Sequence, residues 1–155
     1  MMSRRASSLL VVFTSDNGPW RLYNQHGGSA GPLREGKGAT WEGGLRVPGI
    51  FWGPGRVQPG KVSETGAIVD LMPTLAALTS CTLPADRVMD GVDLSPVLLP
   101  SARSPRTTFP YWRNEELMAF RQGPWKAHFI TRGAYGRGGD RVVHDPPQLY
   151  HLWKV

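Results

Sequence analysis

The sequence predicts an α/β fold that gives way, in its last third, to a small antiparallel sheet. Three observations carry that prediction. Residues 9–14 form a near-continuous apolar run, the pattern of a strand covered on both faces as in a parallel sheet. The stretch from Asp70 to Ser80 has apolar residues at helical spacing. Beyond residue 106, short apolar segments alternate with turn residues, as antiparallel strands do.

The first strand runs directly into Ser15-Asp16-Asn17-Gly18. Asp, Asn and Gly tolerate left-handed backbone angles, so this stretch reads as a turn. It also reads as a ligand site. Functional groups in α/β folds collect past the carboxyl ends of strands, and a carboxylate beside a carboxamide supplies the hard oxygens that calcium and magnesium prefer. The local sequence supports both. Residues 16–44 then show no periodicity and are punctuated by Gly27, Gly28, Gly31, Gly36, Gly38, Gly43 and Gly44. A structureless stretch of that length is a binding loop or disordered, and Trp20, Tyr23, Leu33 and Trp41 favour the binding loop.

A second strand is predicted over 47–52, closed by Gly53-Pro54-Gly55, and a short third over 67–69. Asp70 stands where an N-cap belongs, Pro73 is tolerated in the first helical turn, and Leu71, Leu75 and Leu78 form the apolar face. Cys81 follows the helix as a small buried side chain. Residues 90–93 make a turn and 94–99 a short apolar segment. The Pro- and Ser-rich residues 100–106 are the natural linker, dividing a first domain (9–99) from a second (107–155). In the second, strands are predicted over 107–112, 117–121, 125–131 and 148–153, with Gln122-Gly123-Pro124 as a hairpin turn. The basic, glycine-rich residues 133–139 read as a connection between strands, although their Arg-Gly-Gly character also suits RNA.

Composition narrows the function. Hydrophobic residues make up 40% of the 155 and charged residues 19%, which suits a globular chain and excludes a disordered one. The 19 glycines and 14 prolines call for many loops. A formal net charge of +6 suits an anionic partner, whether nucleic acid, acidic lipid, or a phosphate or sulfate ester. No run of like charges marks a nucleic-acid tail. With one cysteine, no internal disulfide forms. Arg4 and Arg5 before an apolar run imitate a signal peptide, but the run is too short for one, and no stretch is long enough to span a membrane.

Several stretches together carry a resemblance. VVFTSDNG, GGSAGPLREGKGATWEGGLRVPGIFWGPG, VDLMPTLAAL, DGVDLSPVLL, KAHFIT and PPQLYHLW are similar, in order and spacing, to the C-terminal half of sulfatases of the arylsulfatase and N-acetylgalactosamine-6-sulfatase type. The resemblance implies a partial alkaline-phosphatase-like α/β/α sandwich with a small C-terminal antiparallel subdomain, and an activity on sulfate esters of small molecules or sugars. It implies that Asp16 and Asn17 are ligands of a divalent cation, calcium in most of the family. It implies that Lys37 touches the substrate sulfate and helps neutralise charge on the leaving oxygen. Glu42 and Arg46 fall in the same motif and are expected to brace the loop. His26 matches no family role, and His128, alternating with apolar neighbours, is expected to be structural.

The formylglycine on which the family depends arises in a Cys/Ser-x-Pro-x-Arg motif, and these 155 residues contain none; Cys81 is followed by Thr-Leu-Pro-Ala-Asp. The family's paired aspartates are also absent from this sequence. The expectation is therefore a chain inactive on its own, one part of a longer or split hydrolase, with a half-built metal site and a first strand exposing an edge and an apolar face. Two other readings stand beside it: a non-catalytic relative that binds sulfated glycans or other anions, and a basic nucleic-acid-binding protein using Arg132, Arg137 and Arg141. The Asp16-Asn17 and Lys37 motifs disfavour the last, so no nucleic-acid partner is expected. The family is commonly secreted, periplasmic or lysosomal.

Overall fold

The computed structural model describes residues 9–98 and 102–153, which divide between two compact units. Readings that involve Arg4, Arg5, Leu99, Pro100 and Ser101 lie outside the described residues. The first unit joins the opening strand, up to Phe13, to Ile50–Thr107; the second joins Thr14–Gly49 to the chain from Thr108 onward.

β1 (Val11–Thr14) pairs with β2 (Gly49–Trp52) in a two-stranded sheet that belongs to the first unit except for its end residues Thr14 and Gly49. The expectation of a strand covered on both faces is corrected here, because Phe13 is 63% exposed and Val11, Ile50 and Trp52 are exposed with it. Two short strands have too little area to enclose one another. The exposed edge and apolar face anticipated for this strand are present.

Residues 67–69 are not a strand. Ile68–Asp70 is a 3-10 turn, closed by the Asp70 N–H donating to the Ala67 carbonyl at 2.9 Å and by the Ala67 N–H donating back to Asp70 Oδ2 at 2.8 Å. Short, β-branched and apolar, the segment carries strand propensity that one fully buried carboxylate overrides. Asp70 does not cap the following helix α2 (Leu71–Thr79) either. Its carboxylate accepts from Val92 N–H at 2.8 Å and from Arg106 Nε at 2.7 Å. Burial alone would raise the Asp70 carboxyl, but the Arg106 guanidinium and the two backbone amides outweigh it and hold it below the usual carboxylate range.

The buried face of α2 is Pro73, Thr74 and Ala76, whereas Leu75 is exposed and Leu71 and Leu78 only half-buried. This corrects the predicted Leu71-Leu75-Leu78 face. Thr74 turns the helix inward by donating to the Asp70 carbonyl (2.6 Å) and accepting from the Leu94 N–H (2.9 Å). Val97 and Leu98, on the 3-10 turn Ser95–Leu98, complete that core with Leu94. Cys81 is exposed, not buried, because Ser80 leaves the helix in the left-handed region and carries the chain outward. Within the 102–106 stretch, Ser104 donates to the Thr65 carbonyl at 2.6 Å and Arg106 grips Asp70.

The second unit holds a four-stranded antiparallel sheet in the order β3 (Thr108–Arg113), β4 (Glu116–Gln122), β5 (Trp125–Thr131), β6 (Val142–His151). The hairpin turn at Gly123 and Pro124 and the bounds of β5 agree with the sequence pattern. The last strand starts earlier than predicted, at Val142, since β5 pairs it from Thr131↔Val142 to Trp125↔His151. Residues 133–139 are the connection between β5 and β6. Met118, Ala119, Tyr111, Lys126 and His128 are buried on this sheet, and Trp41 is buried with Ala39 and Ala134. No helix among the described residues is long and apolar enough to cross a membrane.

Candidate functional site

The long glycine-rich loop belongs to the second unit and is ordered by backbone contacts rather than by regular structure. It holds a 3-10 helix, Arg21–Gly27, and a single helical turn, α1 (Glu42–Leu45). The strand end is fixed to α1 at Gly18, whose N–H donates to the Gly44 carbonyl at 2.8 Å. A Cβ at Gly18 would lie 1.9 Å from the Gly43 carbonyl oxygen, so only glycine permits this approach. The Lys37 N–H donates to the Pro19 carbonyl (2.9 Å), and the Lys37 carbonyl accepts from the Tyr135 N–H (3.0 Å). Gly38 has a φ of +89°, and any Cβ there would strike the Tyr135 ring.

Below this loop lies a buried ion pair. Lys126 is 1% exposed; its Nζ donates to the Thr40 carbonyl at 2.6 Å and to Glu42 Oε1 at 2.9 Å, and sits 3.5 Å from the centre of the Tyr111 ring. Burial pulls the Lys126 ammonium below the usual lysine range, and Glu42 partly restores it. Burial and the nearby carboxylate push the Tyr111 phenol up. Glu42 thus braces the loop, as its motif implied, through a lysine on β5. His128 stacks on Trp41 with ring centres 4.3 Å apart and is depressed to about 4 by burial and by the Lys126 charge. That is a structural histidine. His26 is exposed.

Beside Thr40, within the second unit, lies an open cavity of about 220 Å³. Asn17 and Lys37 both line it, together with Thr40, Trp112, Arg113 and Tyr135. Asp16 does not line it and is exposed. Lys37 Nζ lies 5.1 Å from the centre of the Trp20 ring, so its charge rests against an aromatic face. Arg113 is positioned by a 2.8 Å hydrogen bond from Nη1 to the Gly133 carbonyl and by stacking 4.8 Å from the Tyr135 ring centre. The Thr40 hydroxyl oxygen is buried and has no hydrogen-bond partner among the described residues. The cavity therefore offers two cations, Lys37 and Arg113, and two carboxamides, Asn17 and Asn114, a set suited to a small oxyanion.

Arg113, Thr40 and Tyr135 were not singled out from the sequence. Trp112-Arg113-Asn114 at a hairpin end was a usable signal, because an aromatic, a cation and a carboxamide gather there at a strand end. A fit for calcium is weaker. Asp16 and Asn17 supply two side-chain oxygens, and no group of three or more His, Cys, Asp or Glu side chains that could hold a metal exists among the described residues. Calcium takes six to eight oxygens, so these residues do not form its site by themselves.

A model of the sulfatase family matches residues 3–81. The chain belongs to the sulfatase family. A second model, for the C-terminal region of aryl-sulfatases, matches residues 104–154 of this sulfatase chain. Human arylsulfatase A is 42% identical over 160 residues, covering 94% of this chain. The dog N-acetylgalactosamine-6-sulfatase is 46% identical over 131 residues, covering 83%. The match spans 31% of the first relative's length and 25% of the second's, so the chain corresponds to about a third or less of each. A solved sulfatase from Pseudoalteromonas sp. superposes with a TM-score of 0.86 at 29% identity, over 96% of this chain and 31% of that one. The fold is accordingly part of the alkaline-phosphatase-like sulfatase fold, with the four-stranded antiparallel sheet in its C-terminal part.

Proposed function

We propose that this chain supplies one side of the site of a sulfuric ester hydrolase acting on a sulfated sugar or a small aryl sulfate. The supporting observation is that Asn17 and Lys37, far apart along the glycine-rich loop, line one small cavity. Asp16 and Asn17 would contribute two oxygens to a divalent cation, calcium by family likeness, whose chemistry when bound is that of a Lewis acid on a sulfate oxygen. Two donors do not by themselves hold that ion.

The chain's own residues account for binding and for charge neutralisation. Gly36 and Gly38 flank Lys37 and add no side chain beside it, while its ammonium rests against the Trp20 ring. Arg113 adds a second positive charge with a planar fork that suits two sulfate oxygens. As the ester S–O bond breaks, negative charge grows on the bridging oxygen, and a cation held in advance at that point lowers the barrier. The carboxamides of Asn17 and Asn114, which line the same cavity, add uncharged hydrogen-bonding groups. Trp112 and Tyr135, both exposed, offer ring faces to a sugar or an aryl group.

The test uses the 155-residue chain with p-nitrophenyl sulfate. Saturable binding is expected by NMR, weakened at least about tenfold by Lys37→Ala, the loss of one charge-assisted contact. Turnover is not expected, because the sequence contains no Cys/Ser-x-Pro-x-Arg. Equal binding by the wild type and the Lys37→Ala variant would remove Lys37 from the site, and calcium-dependent release of p-nitrophenol would overturn the expectation of an inactive chain.

A further inference from the structure

We propose that a second pocket, walled by Arg21, Arg34 and Arg137, binds a sulfate group, free or carried on a sugar. It is a cavity of about 490 Å³ within the second unit, and it shares no lining residue with the cavity that contains Lys37. The two pockets are nevertheless built from one loop: Glu35 lines the second and Lys37 the first, and the Lys37 N–H donates to the carbonyl of Pro19, itself part of the second wall.

The arginines come from three separate segments and converge on one cavity. Arg21 opens the 3-10 helix, Arg34 lies in the loop after it, and Arg137 stands on the β5–β6 connection. Each is held in a different way. Arg137 Nη2 donates to Asn24 Oδ1 at 2.9 Å. Asn24 itself sits at φ 49° and ψ −120°, a conformation a non-glycine residue holds only where its surroundings impose it. The Arg34 guanidinium lies 3.8 Å from the centre of the buried Trp41 ring, which fixes its plane, while its N–H groups make no hydrogen bond to another described residue. Arg21 lies 3.8 Å from Glu35.

Glu35 is the one acid in the lining, and its carboxylate is already engaged. Oε2 accepts from the Ala134 N–H at 3.2 Å and faces Arg21, and the side chain is only 18% exposed. Three guanidinium groups against one occupied carboxylate leave the cavity positive. Guanidinium forks match paired oxygens of a tetrahedral anion, and arginine stays charged at every relevant pH. The volume exceeds what a bare sulfate fills. Asn24 and Ser29 can meet sugar hydroxyls, and Pro19 and Leu33 offer apolar surface to a ring.

This proposal does not rest on hydrolysis, and it is tested without it. The amide and Arg Nε signals of the full chain are followed by NMR during titration with sodium sulfate, glucose 6-sulfate and glucose, with sodium chloride holding ionic strength constant. Saturable shifts are expected at Gly28, Ser29, Gly31 and Arg137 for the two anions and not for glucose. Tighter binding of glucose 6-sulfate assigns the pocket to a sulfated sugar, and equal or tighter binding of inorganic sulfate assigns it to the free anion. Arg137→Gln and Arg21→Gln, both at exposed side chains, should each weaken binding at least tenfold with unchanged circular dichroism, while Lys37→Ala should leave these shifts intact. Shifts that never saturate, that survive both arginine substitutions, or that appear only at Asn17 and Lys37 would overturn the proposal.

Discussion

A lysine ammonium buried as deeply as that of Lys126 has to be satisfied on every side, and here the Thr40 carbonyl, the Glu42 carboxylate and the Tyr111 ring share that task. The pair ties β5 to the turn that follows Lys37, so its loss reaches the candidate site. Lys126→Met strands the Glu42 carboxylate and should lower unfolding stability in urea by about 3 kcal/mol, with the Lys126→Met, Glu42→Gln double variant recovering much of that loss. A double variant as unstable as the single one would show that the pair is not the cause. His128 makes a second prediction at this scale. Its folded-state value of about 4 lies below the ordinary 6.5, so the folded chain binds this proton less readily than the unfolded chain. Stability is therefore full above pH 6.5 and falls as pH drops from there towards 4, by up to about 3 kcal/mol. Thermal melts of the wild type across that window should slope more steeply than those of His128→Gln; parallel slopes would sink the assignment.

Among the elements, the legible ones are those whose pattern is local. β5 alternates apolar and polar residues from Trp125 to Phe129 and is bounded by a Gly-Pro turn, and its observed bounds match the pattern. The 67–70 segment is the opposite case. Its apolar, β-branched residues look like a strand, and only partners at Val92 and Arg106, distant in sequence, show that Asp70 is a buried hub that winds the chain into a 3-10 turn. The face of α2 was misread for a related reason: leucine spacing shows which residues could be buried together, and Thr74, held by two hydrogen bonds, decides which side turns inward. The glycine-rich loop was legible as an ordered loop rather than a disordered one, but its closure was not, since a glycine's reason lies in what approaches it. Gly18→Ala tests that closure. With the Gly43 carbonyl 1.9 Å from the added methyl group, the strand end must leave α1, and a loss of about 2–4 kcal/mol is expected. Binding of p-nitrophenyl sulfate should weaken with it. A variant of full stability would mean that the Gly18–Gly44 contact is dispensable.

At the scale of the molecule, the motif order in the sequence was enough to reach the family, while the sharing of one cavity by Asn17 and Lys37, with Asp16 outside it, came only with the structure. Motif order could not show that Arg113 and Tyr135, on the far side of the sequence, complete their cavity, because nothing in a linear pattern ranks one arginine among many. The surface of the first unit was legible only as a consequence of β1 being apolar. Phe13, Val11, Ile50 and Trp52 stand exposed on a two-stranded sheet, and Ile68, Val69 and Met72 are exposed in the same unit. Apolar surface on this scale, with an open strand edge beside it, favours association between chains over stable monomers. Sedimentation equilibrium of the 155-residue chain at high micromolar concentration should therefore show self-association, together with enhanced Nile red fluorescence. Phe13→Lys places a charge on the most exposed residue of β1 and should shift the chain towards monomer and lower the dye signal. A wild-type chain that stays monomeric and leaves the dye dark would mean that these side chains fold against one another in solution, and the sheet would then be closed rather than open.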